Sequence, residues 1–172
     1  MEKQFTIPDG VDISIDGKKV TVKGTKGTLE RAFKYFHDIK IEKKGNAVVI
    51  ISKSEERKTK AMVGTIRSHI KNMADGVTEG FTTKMKIIYS HFPMSVKVEG
   101  DKVMVTNFIG EKTPRVARII GKVKVEVNGQ DIMVTGLDKE DVGQTSGNIE
   151  QICRISKFDR RVFQDGIYQV KN

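Results

Sequence analysis

Cysteine and long apolar runs are nearly absent from this 172-residue sequence. Cys153 is the single cysteine, so no intramolecular disulfide bond can form, and the chain suits a reducing compartment. No apolar run reaches the ~18 residues that a membrane-spanning helix requires. The opening residues MEKQFTIPDG lack the apolar stretch of a secretory signal. We therefore expect a cytoplasmic protein that is not inserted in a membrane.

Residue patterns that carry catalysis are also missing. His37, His69 and His91 lie far apart without cysteine or carboxylate at metal-ligand spacing, so zinc is not expected. Cys153 falls on the apolar side of a predicted helix, which favours a buried, unreactive thiol. Residues 24–27 (GTKG) hint at a phosphate loop but lack its Gly-Lys-Ser/Thr ending, which favours a turn. No acidic pair stands out as acid and base. The sequence predicts no enzyme, cofactor, metal or small-molecule substrate.

Positive charge is in excess throughout the chain. Lys and Arg number 31 against 22 Asp and Glu, which gives a net charge of +9 and a pI near 9.6. Residues 1–80 hold 16 basic and 11 acidic side chains, and residues 81–172 hold 15 and 11. A surface this basic attracts polyanions, usually nucleic acid or anionic membrane. Charge alone also fits a basic domain without such a partner.

An internal repeat divides the chain. Residues 11–29 align with residues 94–112 at an offset of 83, and residues 39–45 align with residues 123–129 at an offset of 84. The first alignment superposes Gly17 on Gly100, Lys19 on Lys102, Val20 on Val103, Val22 on Val105 and Gly27 on Gly110. The match spans two hairpins in the same order, so we predict two tandem copies, residues 1–80 and 81–172, joined near Gly76–Phe81.

Each copy has the pattern of two hairpins followed by one helix. In the first copy, residues 11–15, 20–22, 39–41 and 48–51 have the alternation or apolar content of strands. The helix that follows is expected to have Ser54 as its N-cap, Glu55 and Glu56 in its first turn, and Gly76 or Gly80 at its end.

The second copy follows the same pattern. Its strands are predicted at residues 96–98, 103–105, 123–127 and 132–134, a further strand starts at Phe81, and its helix spans Asp138–Ser156. The helix would carry Val142, Ile149, Ile152 and Cys153 inward. The predicted fold class is α+β, with two tandem repeats of a small antiparallel β-sheet packed with one α-helix.

Basic residues in predicted loops are the strongest functional signal. Segment 108–118 joins two hairpins of the second copy and carries Lys112, Arg115 and Arg118, with Glu111 as its one acid. Gly110 and Pro114 favour a loop, from which these side chains could reach backbone phosphates. The equivalent segment of the first copy, residues 24–31, is less basic. The second copy is therefore the favoured RNA-binding unit.

A second basic cluster lies in segment 154–168, where cations alternate with aromatic residues. The aromatic rings could stack on bases or anchor the segment to its domain, and the sequence favours neither. No helix-turn-helix, zinc finger, RNP pattern or GXXG clamp is evident, which favours phosphate- and shape-directed binding to folded RNA. The residues concerned are Lys157, Arg160 and Arg161 with Phe158, Phe163 and Tyr168.

Two motifs carry a family resemblance. Residues 136–144 (GLDKEDVGQ) and 158–168 (FDRRVFQDGIY) resemble the universal large-subunit ribosomal protein six family in its archaeal and eukaryotic form. The resemblance covers essentially the whole chain, including the duplicated hairpins and Ile7-Pro8 before the first strand. It implies two similar α/β domains that arose by duplication.

The resemblance also implies a function. Members are structural constituents of the large ribosomal subunit that support translation and bind rRNA near the factor-binding region and the stalk base, mainly through the second domain. Expected partners are large-subunit rRNA and neighbouring large-subunit ribosomal proteins. The alternative is a stand-alone protein-interaction or RNA-chaperone module. Carried onto this sequence, the resemblance makes rRNA-contact candidates of Lys139, Gln144, Asn148, Arg154, Lys157, Arg160, Arg161 and Gly166; Lys112, Arg115 and Arg118 rest on the charge argument.

Overall fold

The computed structural model describes residues 2–33, 39–54 and 56–170. It divides the chain into two compact units, Met1–Gly80 and Phe81–Asn172. Each unit contains one α-helix and antiparallel sheets. The α+β class that the sequence predicts is confirmed.

The first unit contains six strands and a helix in the part of the chain that is described. Strands β1, β6 and β5 form one antiparallel sheet in that order, and β2, β3 and β4 form another. Helix α1 packs against β1, β3, β4 and β6. The elements are β1 (Glu2–Thr6), β2 (Asp12–Asp16), β3 (Lys19–Lys23), β4 (Thr28–Ala32), β5 (Ile39–Lys44), β6 (Ala47–Ser52) and α1 (Arg57–Thr78).

The second unit repeats this order and adds a strand at its end. Its sheets have the orders β10-β9-β8 and β11-β12-β7-β13, and α2 packs against β7, β10, β12 and β13. A short 3-10 turn, Phe108–Gly110, follows β9. The elements are β7 (Phe81–Ile88), β8 (Ser95–Glu99), β9 (Lys102–Thr106), β10 (Arg115–Arg118), β11 (Lys124–Asn128), β12 (Asp131–Gly136), α2 (Lys139–Ile152) and β13 (Gly166–Gln169).

The structure corrects the predicted sheets in two respects. Each repeat has two small sheets where the sequence predicted one, and four strands (β1, β4, β10 and β13) were not predicted as strands. Strand β10 lies inside the predicted loop 108–118, and all but the last residue of β4 lies inside the equivalent loop 24–31. These strands are short or highly charged, so their local patterns are weak. They form because a neighbouring strand provides a partner for hydrogen bonding: β6 for β1, β3 for β4, β9 for β10 and β7 for β13.

The predicted helix limits also change. Helix α1 begins at Arg57, because the Ser54 hydroxyl accepts from the backbone N–H of Glu56 in a tight turn before the helix. Glu56 is the N-cap residue, and Glu55 lies outside the described residues. Gly80, at φ +75°, follows the end of α1, and its N–H donates to the carbonyl of Asp75.

Helix α2 ends at Ile152 rather than at Ser156. The backbone N–H groups of Cys153 and Arg154 bond back to Glu150 and Gln151, which tightens the last turn and ends the helix. The apolar pattern continues beyond this point because Ile155 is buried from an extended segment. Asp138 caps the other end of α2, as its side chain accepts from the N–H of Glu140.

Each unit has its own apolar core. In the first, α1 covers the inward-facing residues of β2, β3 and β6 with Val63, Ile66 and Ile70, all fully buried. In the second, α2 contributes Val142 and Ile149 against the apolar faces of both sheets. Ile66 and Ile149 stand at the repeat offset of 83 residues.

Residues 24–27 cap the C-terminal end of α1. The N–H of Lys26 donates to the carbonyl of Val77 at 2.9 Å, and the Lys26 ammonium binds the carbonyl of Glu79. A Cβ at Gly24 would lie 2.5 Å from the Val77 side chain, so only glycine fits this contact. The segment is a structural turn, as its sequence favoured, and has no phosphate-loop geometry.

Candidate nucleic-acid interface

The middle of helix α2, residues 143–148, presents a polar, uncharged face to solvent. Its apolar spacing turns Val142 and Ile149 into the core, which leaves Gln144 exposed and Asn148 half-buried. The Gln144 amide donates to the Asn148 side-chain oxygen at 2.9 Å, and the Asn148 amide donates to the backbone carbonyl of Arg118 at 3.2 Å. This chain of bonds ties the exposed face of α2 to the end of β10.

Two glycines lie on the same face of α2. Atoms added at the Cβ positions of Gly143 and Gly147 would meet nothing within 4 Å. A glycine inside a helix costs about 1 kcal/mol relative to alanine, and the packing of the unit does not require either one. The bare backbone lets a partner approach closely. Neither glycine was predicted as a contact, although two glycines four residues apart on a polar helix face are a signal that the sequence carries.

Arg115 makes its contacts within the protein. Its guanidinium forms two hydrogen bonds to the Glu111 carboxylate, at 2.6 and 2.7 Å, and donates to the carbonyls of Ile152 and Arg154. It also stacks over the buried Phe108 ring at 4.3 Å. The hydrogen bonds from Arg115 hold the pKa of Glu111 below its ordinary value. Because nearly all its donors are engaged, Arg115 pins the β9–β10 connection to the end of α2.

The segment after α2 presents its basic side chains outward. Arg154, Lys157, Arg160 and Arg161 are all exposed, and the Arg160 Nε donates to the carbonyl of Ile155 at 3.2 Å. The backbone N–H and the guanidinium of Arg161 both bond to Asp159, and these bonds lower the pKa of that carboxyl. The Arg161 side chain is nevertheless 91% exposed. Its charge is therefore available to a partner.

Aromatic residues anchor this segment from within. The Phe163 ring stacks on the His91 ring at a centroid distance of 4.4 Å and contacts the Phe158 ring at 4.7 Å. The Tyr168 hydroxyl donates to the carbonyl of Gln164. Phe163 is the anchor of this group, whereas Phe158 and Tyr168 remain 48% and 40% exposed.

A buried carboxylate fixes the end of the segment. Asp165 is 1% exposed and accepts hydrogen bonds from the N–H and hydroxyl of Ser90 and from the N–H and ring Nδ1 of His91, at 3.0–3.4 Å. Burial is the largest influence on its pKa and raises it, but the bonds from Ser90 and His91 together outweigh burial. The pKa of Asp165 therefore lies below its ordinary value.

Ser90, His91 and Asp165 do not form a catalytic triad. A triad uses one ring nitrogen of the histidine for the serine and the other for the carboxylate. In this cluster the same nitrogen, Nδ1, lies 3.0 Å from the Ser90 hydroxyl and 3.4 Å from the Asp165 carboxylate. The arrangement holds two chain segments together and offers no path for proton relay.

Not all the candidate residues meet. Among the candidates, Arg154, Arg160 and Gly166 line a cleft of about 570 Å³ between α2, the segment after it and β13, together with Gly147 and Glu150. Asn148 and Arg118 contact each other at the end of β10 and are not part of this lining. Lys139 lies at the other end of α2, roughly 20 Å away along the axis, where its ammonium faces the Phe81 ring. Lys112 is exposed on the β9–β10 connection.

Gly166 is buried and has a packing role. A Cβ at this position would lie 3.1 Å from the Tyr168 ring, so glycine lets the ring lie against the backbone of β13. It borders the cleft but has no side chain to offer.

Cys153 also borders the cleft, and its thiol is 4% exposed. Burial raises its pKa to about 12, although the charge of Arg115 opposes this. At about pH 8 roughly one thiol in 10,000 is then ionised. We expect iodoacetamide to alkylate the native protein about 100-fold or more slowly than the denatured protein, as followed by intact mass. Equal rates would contradict a buried, unreactive thiol.

The described residues contain neither a metal-ligand cluster nor a membrane-spanning helix. Among residues 2–33, 39–54 and 56–170, no three or more His, Cys, Asp or Glu side chains lie close enough together to hold a metal ion. Neither described helix combines the length and the apolar character that crossing a bilayer requires. His37 lies outside the described residues.

The fold and the surface define a class: a duplicated α+β protein whose second copy groups cations and a glycine-containing helix face around one cleft. The family model for ribosomal protein L6 matches residues 7–80 and, a second time, residues 92–166. The chain belongs to the ribosomal protein L6 family. The two matches confirm the internal duplication, and the family resemblance stated from the sequence is confirmed.

Similar proteins are known from several archaea. The chain is 53% identical over 169 residues to the large ribosomal subunit protein uL6 of Methanosarcina mazei, covering 98% of this chain and 96% of that protein. It is 50% identical, with the same coverage, to the protein of that name from Methanothrix thermoacetophila. The uL6 protein of Ignicoccus hospitalis is 51% identical over 166 residues, 94% of this chain and 89% of its own length.

Proposed function

We propose that this protein is a structural, non-enzymatic constituent of the large ribosomal subunit. Relatives that carry this name match nearly the full length of the chain. In this proposal the protein resides in cytoplasmic ribosomes and supports translation from a position near the factor-binding region and the stalk base. Its partners are large-subunit rRNA and neighbouring large-subunit ribosomal proteins.

The α2 surface is the proposed main rRNA contact. We define it as the exposed polar face of α2 with the cations beside it. The observation that carries the proposal is that the helix backbone is bare at Gly143 and Gly147, and that Gly147 borders the same cleft as the exposed Arg154 and Arg160. The Arg160 guanidinium is held there by its bond to the Ile155 carbonyl. A sugar–phosphate backbone can approach such a face closely, and the cationic side chains at the edges of the face can neutralise its phosphate charges. Its members are Arg118, Gly143, Gln144, Gly147, Asn148, Arg154, Lys157, Arg160 and Arg161.

Four candidate residues lie outside the α2 surface in this proposal. Arg115 and Gly166 support the surface. Nearly all donors of the Arg115 guanidinium are engaged in internal bonds, and Gly166 is buried. Lys139 lies too far along α2 to share a phosphate group with Arg160. Lys112 stays a peripheral candidate on charge alone.

Replacing both Arg160 and Arg161 by glutamate tests the proposal. Since binding energy comes mostly from neutralised phosphates, losing two contacts should lower the log–log slope of affinity against salt by roughly 1.4–1.8. The measurement is filter binding to deproteinised large-subunit rRNA from Methanosarcina mazei across a salt series. Arg161→Glu alone should lower the slope by roughly half as much, and Arg161 has no bond that bears on the core.

The matched control replaces Lys84 and Lys97, which are exposed on β7 and β8 of the same unit, by glutamate. It makes the same change in net charge away from the α2 surface and should alter affinity far less. Equal losses in the two variants would mean that charge acts diffusely, and the located site would be wrong. Retention of the protein on large particles through a high-salt gradient separates a ribosomal constituent from a stand-alone module.

A further inference from the structure

Helix α1 of the first unit has an exposed face that is more basic than that of α2. Residues 57–74 contain five cations and no acid. All five side chains are exposed, whereas the opposite side of the helix is buried in the core of the unit. The five are Arg57, Lys58, Lys60, Arg67 and Lys71.

No acidic side chain that the structure describes neutralises these charges. In the described part of the chain, the side chains of Arg57, Lys58, Lys60 and Lys71 form no ion pair or hydrogen bond, and Arg67 donates to the backbone carbonyl of Gln4. Three of the cations crowd the first turn of α1, where the helix dipole disfavours positive charge. The N-cap residue, Glu56, makes no capping bond that would offset this. The arrangement disfavours the isolated helix, which points to a negatively charged partner.

A glycine lies in the middle of this face. Gly64 stands 83 residues before Gly147, the same offset that relates the buried Ile66 and Ile149. A Cβ at Gly64 would meet only the Lys3 ammonium, at 3.6 Å, so packing does not require a glycine here. Each repeat therefore has, at the equivalent outward-facing position of its helix, a glycine that the packing of the unit does not require.

We propose that this face of α1, with Gly64 at its centre, is a second RNA-contact surface that takes the sugar–phosphate backbone of a folded RNA. We call it the α1 surface, and it consists of Arg57, Lys58, Lys60, Ala61, Gly64, Arg67, Ser68 and Lys71. The backbone passes over Gly64, and its phosphates lie against Lys60, Arg67 and Lys71. This goes beyond the proposed function, which assigns the contact to the second unit.

RNA fits this face better than an acidic protein segment does. Protein interfaces have an apolar, often aromatic centre inside a polar rim. The centre of the α1 surface is Gly64 flanked by Ala61 and Ser68, and its rim is cationic. This narrow uncharged strip lies between cations, which matches an RNA backbone because its negative charge lies on the phosphates along its edge.

The test uses the full chain and two kinds of variant. Lys60→Glu with Lys71→Glu removes charge beside Gly64, and Lys40→Glu with Lys44→Glu, on the exposed side of β5, is the charge-matched control. Gly64→Leu adds bulk at the centre and should leave the melting temperature equal or higher, because leucine favours helix. Each is measured by filter binding to deproteinised large-subunit rRNA from Methanosarcina mazei and by mapping RNA–peptide crosslinks.

We expect K60E/K71E to lower affinity about tenfold at about 150 mM salt and the salt slope by roughly 1.4–1.8. Crosslinks to residues 57–71 should disappear in this variant and in Gly64→Leu, while crosslinks to residues 154–161 persist. The control should bind like the parent protein. Wild-type affinity and crosslinks in either variant would overturn the inference, as would unchanged RNA binding with a defect only in assembly with other ribosomal proteins.

The two proposals fail separately. If R160E/R161E alone weakens binding, the α1 surface is wrong and the α2 surface stands. If K60E/K71E alone weakens binding, the α2 surface is wrong and the α1 surface stands.

Discussion

Replacing Ile149 by alanine is expected to lower the free energy of unfolding of the second unit by about 2–5 kcal/mol, the usual cost of truncating a buried isoleucine. Ile149 is 0% exposed and fills the space between α2 and the sheets. A loss of this size is a large part of the about 5–15 kcal/mol that holds a domain folded. Denaturant titration with peptide-resolved hydrogen exchange measures the loss in each unit.

The repeat supplies a matched control for this prediction. Ile66 occupies the equivalent position in α1 and is also 0% exposed. Ile66→Ala should reduce protection in peptides from residues 2–80, and Ile149→Ala should reduce it in peptides from residues 81–170. A loss below about 1 kcal/mol for Ile149→Ala would show that the site collapses around the missing atoms, contrary to the tight packing described above.

Replacing Asp165 by alanine is expected to detach the basic segment after α2 and to weaken rRNA binding about tenfold, since a disordered segment must be ordered again on binding. The side chain holds Ser90 and His91 through four hydrogen bonds. Losing these charge-assisted bonds, which are partly buried, costs about 1–3 kcal/mol. The cations themselves remain, so the salt slope should stay near that of the parent protein.

The salt slope is what separates the two kinds of RNA-binding defect. R160E/R161E should reduce it, whereas Asp165→Ala should lower affinity at every salt concentration by a similar factor. Hydrogen exchange should accelerate in residues 154–165 of the Asp165 variant. If exchange there is unchanged, Asp165 does not hold the segment, and its place in the scaffold is wrong.

The pKa of Asp165 gives this prediction a pH dependence. Because the folded-state pKa is lowered, the carboxylate stabilises the fold above the unfolded value of about 3.9 and loses this effect as the pH falls toward the folded value. The stability difference between the parent protein and Asp165→Asn should therefore be full above about pH 5 and shrink in stronger acid. A difference that stays constant down to about pH 2 would mean that the carboxylate charge is unimportant.

Much of the architecture was predictable because local patterns carry it. Val20 and Val22 alternate with exposed residues as a half-buried strand must, and Ile66 and Ile70 recur at helical spacing. The duplication follows from glycines and valines at a constant offset. The helix limits were less accurate, because Ser54 forms a tight turn before the helix and Ile155 continues an apolar pattern outside it.

The candidate surface was predictable only in composition. The exposure of Arg161 agrees with the expectation for a charged residue in a polar segment. The role of Arg115 was not readable, because its partners at Ile152 and Arg154 lie 37 and 39 residues away. The role of Asp165 was not readable for the same reason, because its partner Ser90 lies 75 residues away in the sequence. Sequence proximity says nothing about such pairings.

By itself, the sequence determined the basic character of this protein, its two copies, the inward faces of its helices and its membership of the family, since these depend on composition and on short-range periodicity. The tertiary structure alone decided that each copy splits its strands into two sheets, that Arg115 and Asp165 serve the scaffold, and that Gly64 and Gly147 lie bare on outward helix faces. Those features depend on which distant segments meet. Contact between distant segments is set by the packing of the whole unit, where burial and hydrogen bonding are satisfied together.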